Sequence, residues 1–332
     1  MGFLIDGVWV TREEETTAGN GYFWRSEPAF RNWVTPDGRP GPTGHDGYAA
    51  ARGRYHLYVS LACPWAHQTL IVRALKGLEE IIPISVTHWL MTEQGWTFSP
   101  GEGVIPDTLS NSRYVHEIYT RADPHYTGRA TVPVLWDRHT QTIVSNDSSE
   151  IIRMMNTAFD AVGAKPLDLY RFELREEIDA LNSRISDAIQ DGVYCAGFAT
   201  TQDAYDEAIH PLFQTLESLD IRLGTGRFLC GDTITEADIR LFTALIRLDI
   251  VYFFHFKCNR KRLRDYRNLW DYTRDIFQWP SVASTINLTH IKRHYYQGHT
   301  SINPSRTVPA GPILPFDEPT ERAGAVAQAR TF

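Results

Sequence analysis

The sequence has little of what would place it in several broad protein classes. Its 332 residues hold only four cysteines, Cys63, Cys195, Cys230 and Cys258, and no CxxC pair. A disulfide framework or a cysteine-ligated zinc cluster is therefore not expected, and each thiol is read alone. No HExxH motif occurs; His290 and His294 stand four apart on a predicted helix without an acidic partner. That pair reads as a polar helix edge, and no metal site is expected. No run of about 18 apolar residues occurs, which argues against a membrane helix. Basic residues are not in excess: 33 Lys and Arg against 40 Asp and Glu give a net charge of −7. That argues against a broad nucleic-acid-binding face, while net charge says nothing about a local basic patch. The first ten residues carry neither a basic n-region nor an apolar h-region, and Asp6 stands where a myristoylation signal places Ser or Thr. A cytoplasmic location is the expectation.

What is present is enough apolar sequence, 42% of residues, to bury a sizeable core, and enough length for two domains of about 150 residues. Residues 1–50 are rich in Gly, Pro and charge and read as an irregular arm. Its aromatics, Trp9, Tyr22, Phe23, Trp24, Phe30 and Trp33, predict that it packs onto something. Residues 51–157 read as one domain. The β-rich run His56 to Ser60 leads into a helix carrying Leu70, Ala74, Leu75 and Leu78, then a second β-rich run, Ile81 to Val86. The short return implies a parallel βαβ unit. Residues 89–130 form a long insertion with some helix around Tyr114 to Arg121. Thr131 to Trp136 and Gln141 to Val144 read as a hairpin, and Ser145-Asn146-Asp147-Ser148 caps a helix. Pro133 inside a strand is unusual. A cis peptide at Val132-Pro133 is one solution, placed where a ligand needs the freed strand edge.

After a linker at 156–167, residues 168–298 read almost entirely as helix. Leu169, Phe172, Ile178, Leu181, Ile185 and Ile189 give one apolar face, and Tyr205, Ile209, Leu212, Phe213, Leu216 and Leu219 another. Thr235-Glu236-Ala237-Asp238 reads as a capping box opening the run Ile239 to Ile250. Residues 299–332, with many Pro and Gly, read as a surface tail.

Cys63 is the strongest chemical signal. It directly precedes Pro64 at a strand-to-helix junction, where free N–H groups and the helix dipole favour a thiolate. Helix N-termini and neighbouring cations lower a cysteine pKa from ~8.5 into the range ~3.5–7.5. The ordinary alternative is a small buried, inert cysteine. Three residues on stands Ala66 rather than a resolving cysteine, so a mixed disulfide at Cys63 needs an outside thiol. The abundant cytosolic candidate is glutathione. The edge before Pro133 offers an N–H and a C=O to an extended peptide. Asp147-Ser148 at a helix start offers a carboxylate and a donor to an amino-acid headgroup; plain N-capping is the competing reading.

In that order the features resemble a known family. The N-terminal half looks like the thioredoxin-like domain of glutathione transferases, and the second half like their all-helical domain. The implied fold class is α/β plus all-α, βαβ-ββα followed by helices. Cys63-Pro64-Trp65-Ala66, Gly95-Trp96-Thr97-Phe98, the segment Thr131 to Asp137 and Phe256-Lys257-Cys258-Asn259 resemble the glutathionyl-hydroquinone reductases, or Xi-class glutathione transferases. The resemblance implies Cys63 as nucleophile, and Trp96, Arg129, Val132, Asp147 and Ser148 as glutathione contacts. It also implies Tyr194, Tyr252 and Tyr295 as the lining of a quinol pocket. Where the family often carries Glu, this chain has Asp147, one methylene shorter. A homodimer and glutathione as co-substrate, without metal, are implied as well. The remaining cysteines are expected to be structural.

The expected chemistry is reductive deglutathionylation of a glutathionyl-hydroquinone through a Cys63–glutathione mixed disulfide. The alternatives are an omega-type thiol transferase or dehydroascorbate reductase using the same cysteine, and a non-catalytic binding module of the same fold.

Overall fold

The β-branched and aromatic residues of Tyr55–Val59 (β5) are buried along the whole strand, and β5 lies inside a four-stranded sheet. The computed structural model describes residues 2–11, 21–23 and 25–322. Residues 12–20 and Trp24 of the predicted arm, and 323–332 of the predicted tail, lie outside the described residues. Among those described, the chain divides into two units. One comprises 2–11, 25–167 and 287–294, the other 21–23, 168–286 and 295–322.

In the first unit, β1 (Gly2–Ile5) and β2 (Val8–Thr11) form a hairpin, and β3 (Trp33–Thr35) pairs in parallel with β4 (Gly47–Ala49). After β5 come α1 (Pro64–Leu75), β6 (Ile84–Val86), α2 (Val115–Ala122), β7 (Val134–Asp137), β8 (Thr142–Ser145) and α3 (Ser148–Thr157). The main sheet has the order β6-β5-β7-β8, with β5 parallel to β6 and antiparallel to β7. This is the expected βαβ-ββα order. Pro64 occupies the start of α1, where its missing N–H removes no helical bond.

Three expectations need correction. The arm is not irregular throughout: it contributes β1 to β4, and Leu4 exchanges main-chain bonds with Gly128 at 2.8 and 2.9 Å. Strands of three or four residues leave almost no periodic signal, because their partners are remote in sequence. Strand pairing begins at Val134 rather than Thr131. The Val132–Pro133 bond is cis, and Pro133, with no N–H to give a ladder, precedes the strand. The third concerns Phe172, which is 80% exposed and lies before α4 (Arg175–Ile185), beside the Arg175 guanidinium. A run of apolar residues at helical spacing cannot show where the helix starts.

The insertion is held by buried polar anchors. Asp107 accepts from Tyr58 Oη (3.0 Å) and from the Leu109 and Ser112 amides, each at 3.0 Å. Burial works against its charge, yet these donors keep the carboxyl below its ordinary range.

The second unit is built from α4, α5 (Gly192–Phe198), α6 (Gln202–Arg222), α7 (Glu236–Arg247), α8 (Arg267–Phe277) and α9 (Pro280–Ala283). The last helix, α10 (Leu288–Gly298), contributes its residues to His294 to the first unit and the rest to the second. The Thr235 capping box is present. Asp238 accepts from the amides of Thr235 (2.8 Å) and Leu229 (2.9 Å) and from Tyr272 Oη (2.9 Å). Two wider π-type turns interrupt the helices, Ser186–Asp191 before α5 and Leu248–Tyr252 after α7. Such turns recur at functional sites.

Candidate active site

Cys63 is the N-cap of α1. Its backbone is extended (φ −72°, ψ 122°), and its side chain makes no capping bond to the helix. The carbonyl of Cys63 accepts the His67 amide at 3.0 Å, so the helix begins directly behind the thiol. Sγ lies 3.5 Å from the Val132 carbonyl oxygen, across 69 residues of sequence. The structure thus joins two predicted features: the thiol at a helix start and the segment before the cis-proline. The Arg25 guanidinium stands 3.7 Å above the Trp65 ring, two residues from Cys63. The other cysteines differ. Burial pushes the Cys195 and Cys258 thiols up, and burial together with the nearby Asp238 pushes Cys230 up to about 11.

Asp147 is the N-cap of α3, its Oδ1 accepting from the amides of Ser149 (2.8 Å) and Glu150 (3.0 Å). The capping reading is therefore correct. Capping engages one carboxylate oxygen and leaves Asp147 and the buried Ser148 at a helix start. Tyr119, fully buried on α2, ties this turn to the Val132 segment. Its hydroxyl donates to Thr131 O (3.0 Å) and accepts from the Thr131 amide (3.2 Å) and from Asn146 Nδ2 (3.0 Å). The Phe30 amide donates to Asn146 Oδ1 at 3.0 Å, and Asn146 N donates to Phe30 O at 3.0 Å, so the arm braces the same turn. No local sequence signal shows the bridging role of Tyr119 and Asn146, because their partners lie on separate segments.

Arg129 is half-buried at the end of the insertion, its carbonyl accepting from Tyr126 Oη at 3.2 Å. Trp96 is buried and its indole stacks on the His294 imidazole, with centroids 4.9 Å apart and planes 20° apart. Gly95 before it has φ +73°, a conformation that favours glycine, and a Cβ there would press on the Trp9 ring at 3.0 Å.

In the second unit the structure brings Tyr194, Tyr252 and Tyr295 together. Tyr295 Oη is the hub, 2.5 Å from Tyr194 Oη and 3.3 Å from Tyr252 Oη. Tyr194 follows one π-type turn by three residues, and Tyr252 ends the other. Phe256 stacks on Tyr252 (5.7 Å, 7°) and meets Tyr194 and Tyr295 edge-on at 5.2 and 5.6 Å. Gly197 makes room for it, since a Cβ there would drive into the Phe256 ring. Burial raises the phenols of Tyr252 and Tyr295 well above the ordinary tyrosine value. They are neutral hydrogen-bonding groups across the working pH range.

Comparison with known proteins identifies the family. Family models match residues 62–158 as glutathione S-transferase, N-terminal domain, and 202–275 as glutathione S-transferase, C-terminal domain. The chain is 54% identical over 323 residues to the glutathionyl-hydroquinone reductase YqjG of Escherichia coli (strain K12), covering 97% of this chain and 98% of that one. It is 49% identical over 316 residues to the glutathionyl-hydroquinone reductase PcpF of Sphingobium chlorophenolicum, covering 95% and 98%. The glutathione-bound structure of YqjG superposes with a TM-score of 0.90 at 52% identity, covering 97% of this chain and 99% of that one. The chain belongs to the glutathionyl-hydroquinone reductases, the Xi class of glutathione transferases.

Proposed function

We propose that this chain uses glutathione to remove the glutathionyl group from glutathionyl-hydroquinones, releasing the free hydroquinone. The observation that carries the reading is Cys63 at the N-cap of α1 with Sγ against the Val132 carbonyl. A thiolate there is favoured by the dipole of the helix start.

In the proposed reaction Cys63 thiolate attacks the sulfur that joins glutathione to the ring. A disulfide bond forms between Cys63 and glutathione as the carbon–sulfur bond breaks. Its electron pair stays on the ring carbon, which takes a proton. Tyr194, Tyr252 and Tyr295 donate hydrogen bonds to the ring oxygens as charge develops. A second glutathione thiolate then attacks the mixed disulfide, releasing oxidised glutathione and restoring Cys63. The sum is one conjugate and one glutathione giving one hydroquinone and one oxidised glutathione; the thiol proton balances the proton on carbon. Ala66 in place of a resolving cysteine is what makes the second glutathione necessary. In both steps the tripeptide is held by Trp96, Arg129, the Val132 main chain, Asp147 and Ser148. Asp147 meets the γ-glutamyl ammonium through the oxygen not used in capping. No helix among the described residues is long and apolar enough to cross a membrane. A homodimer, taken from the resemblance, and a cytoplasmic location, the expectation from the sequence, are part of the same proposal.

The test is steady-state turnover of a glutathionyl-hydroquinone with excess glutathione, following hydroquinone and oxidised glutathione, in wild type and Cys63→Ser. Turnover is expected in wild type and absent in the variant, because a serine alkoxide is not available near neutral pH. Turnover retained by Cys63→Ser removes the nucleophile assignment. An inactive wild type that instead reduces small mixed disulfides or dehydroascorbate makes the chain a thiol transferase.

A further inference from the structure

His290 and His294, which the sequence offers as a polar helix edge, are both buried. They grip the loop that carries Trp96. His290 Nε2 donates to the Glu102 carbonyl at 2.6 Å, and its ring meets Trp89 edge-on at 5.2 Å. The Arg293 guanidinium lies 4.7 Å from the centre of the Trp89 ring. His294 Nδ1 lies 2.8 Å from the Trp89 carbonyl oxygen. A carbonyl only accepts, so Nδ1 carries the hydrogen and the imidazole plane is set by that bond. The same plane is stacked on the Trp96 indole.

We propose that His294 is a positioning residue for glutathione binding, holding the Trp96 indole in its binding orientation through a ring whose own plane is fixed by the Trp89 carbonyl. The inference rests on the glutathione role proposed for Trp96. The loop from His88 to Phe98 is also held by main-chain bonds, such as His88 N to Thr97 O at 2.8 Å and Thr92 with Gly95 at 3.0 and 2.9 Å, and by side-chain bonds, such as Trp9 Nε1 to Glu93 O at 3.0 Å and Thr97 Oγ1 to Arg113 O at 3.1 Å. Those bonds fix the path of the chain, but not the rotamer of an indole. A large flat side chain on a loop loses rotational freedom when it binds a ligand, and a preformed stack removes part of that cost beforehand. His294 therefore acts on the affinity for glutathione and not on the chemical step.

The probe is S-methylglutathione, a thioether that cannot form a disulfide, titrated calorimetrically into wild type, His294→Ala, His294→Phe and His290→Ala. Melting temperatures confirm that each variant is folded. His294→Ala is expected to raise Kd roughly three- to ten-fold, the loss of one stacked ring pair. The KM for glutathione should follow while kcat stays within about two-fold. His294→Phe keeps a ring on Trp96 and should recover most of the affinity. His290→Ala loosens the same helix without touching that stack and should leave Kd near wild type. An unchanged Kd in His294→Ala overturns the inference. So does an equal loss in His290→Ala, or a folded His294→Phe that recovers nothing, since either assigns the effect to helix docking. A wild type that does not bind S-methylglutathione overturns this inference together with the proposed glutathione reading, an outcome visible before any variant is compared.

Discussion

In the first unit the residues proposed to hold glutathione, apart from Trp96 with its stack on His294, are held by main chain and polar bonds. Cys63 and Asp147 sit at helix starts, Val132 is placed by the segment around Pro133, and the Tyr119 hydroxyl bridges Thr131 and Asn146. In the second unit Tyr194, Tyr252 and Tyr295 are held by ring packing against Phe256 and by a hydroxyl cluster with one hub. The difference follows the proposed ligands. A tripeptide presents amides and charges in fixed order and is met by backbone groups at fixed spacing. A hydroquinone presents a flat ring with oxygens on its rim, and is met by aromatic faces and rotatable hydroxyls.

The contrast can be broken first at the thiols. Iodoacetamide at pH 7 is expected to alkylate Cys63 at least about a hundred-fold faster than Cys230, whose thiol burial and Asp238 push up to about 11. Cys195 and Cys258, raised by burial, should be slow as well. Peptide mapping of the labelled protein over time measures this. A Cys63 no faster than the others would favour the binding-module alternative.

The tyrosine cluster is tested by Tyr295→Phe, which removes the hub hydroxyl and leaves the ring. It should lower kcat about 10- to 100-fold and leave the KM for glutathione unchanged. A raised glutathione KM with normal kcat would move Tyr295 out of the proposed chemical step. Tyr119→Phe is the counterpart in the first unit. It removes one hydroxyl from the bridge between the Val132 and Asp147 segments, at a net cost of about 1 kcal/mol. The glutathione KM should rise about five-fold with kcat little changed. If Tyr119→Phe instead lowers kcat like Tyr295→Phe, the division of labour between the two regions is wrong.

Much of the fold was legible because its signals are local. The β5–α1–β6 order shows as a β-rich run, a helical apolar spacing and a second β-rich run. The Thr235 capping box is a four-residue pattern, and Pro133 contradicts a strand within a single tripeptide. The short strands β1 to β4 were hidden, since three or four residues carry no period and their stability comes from distant partners. Phe172 was misplaced for the opposite reason: its spacing fits a helix that starts only at Arg175.

The sequence by itself determined the βαβ-ββα order of elements and the position of a cysteine before proline at a helix start, and, with the family resemblance, the residues to examine. Tertiary structure alone decided that Cys63 Sγ lies against Val132 O, that three tyrosines share one hydroxyl hub, and that His294 covers Trp96 instead of lying on a polar edge. The physical reason is range. Propensity, capping and proline chemistry act over a few residues, whereas these contacts join segments 43 to 101 residues apart, or further for His294, and exist only once both segments are packed.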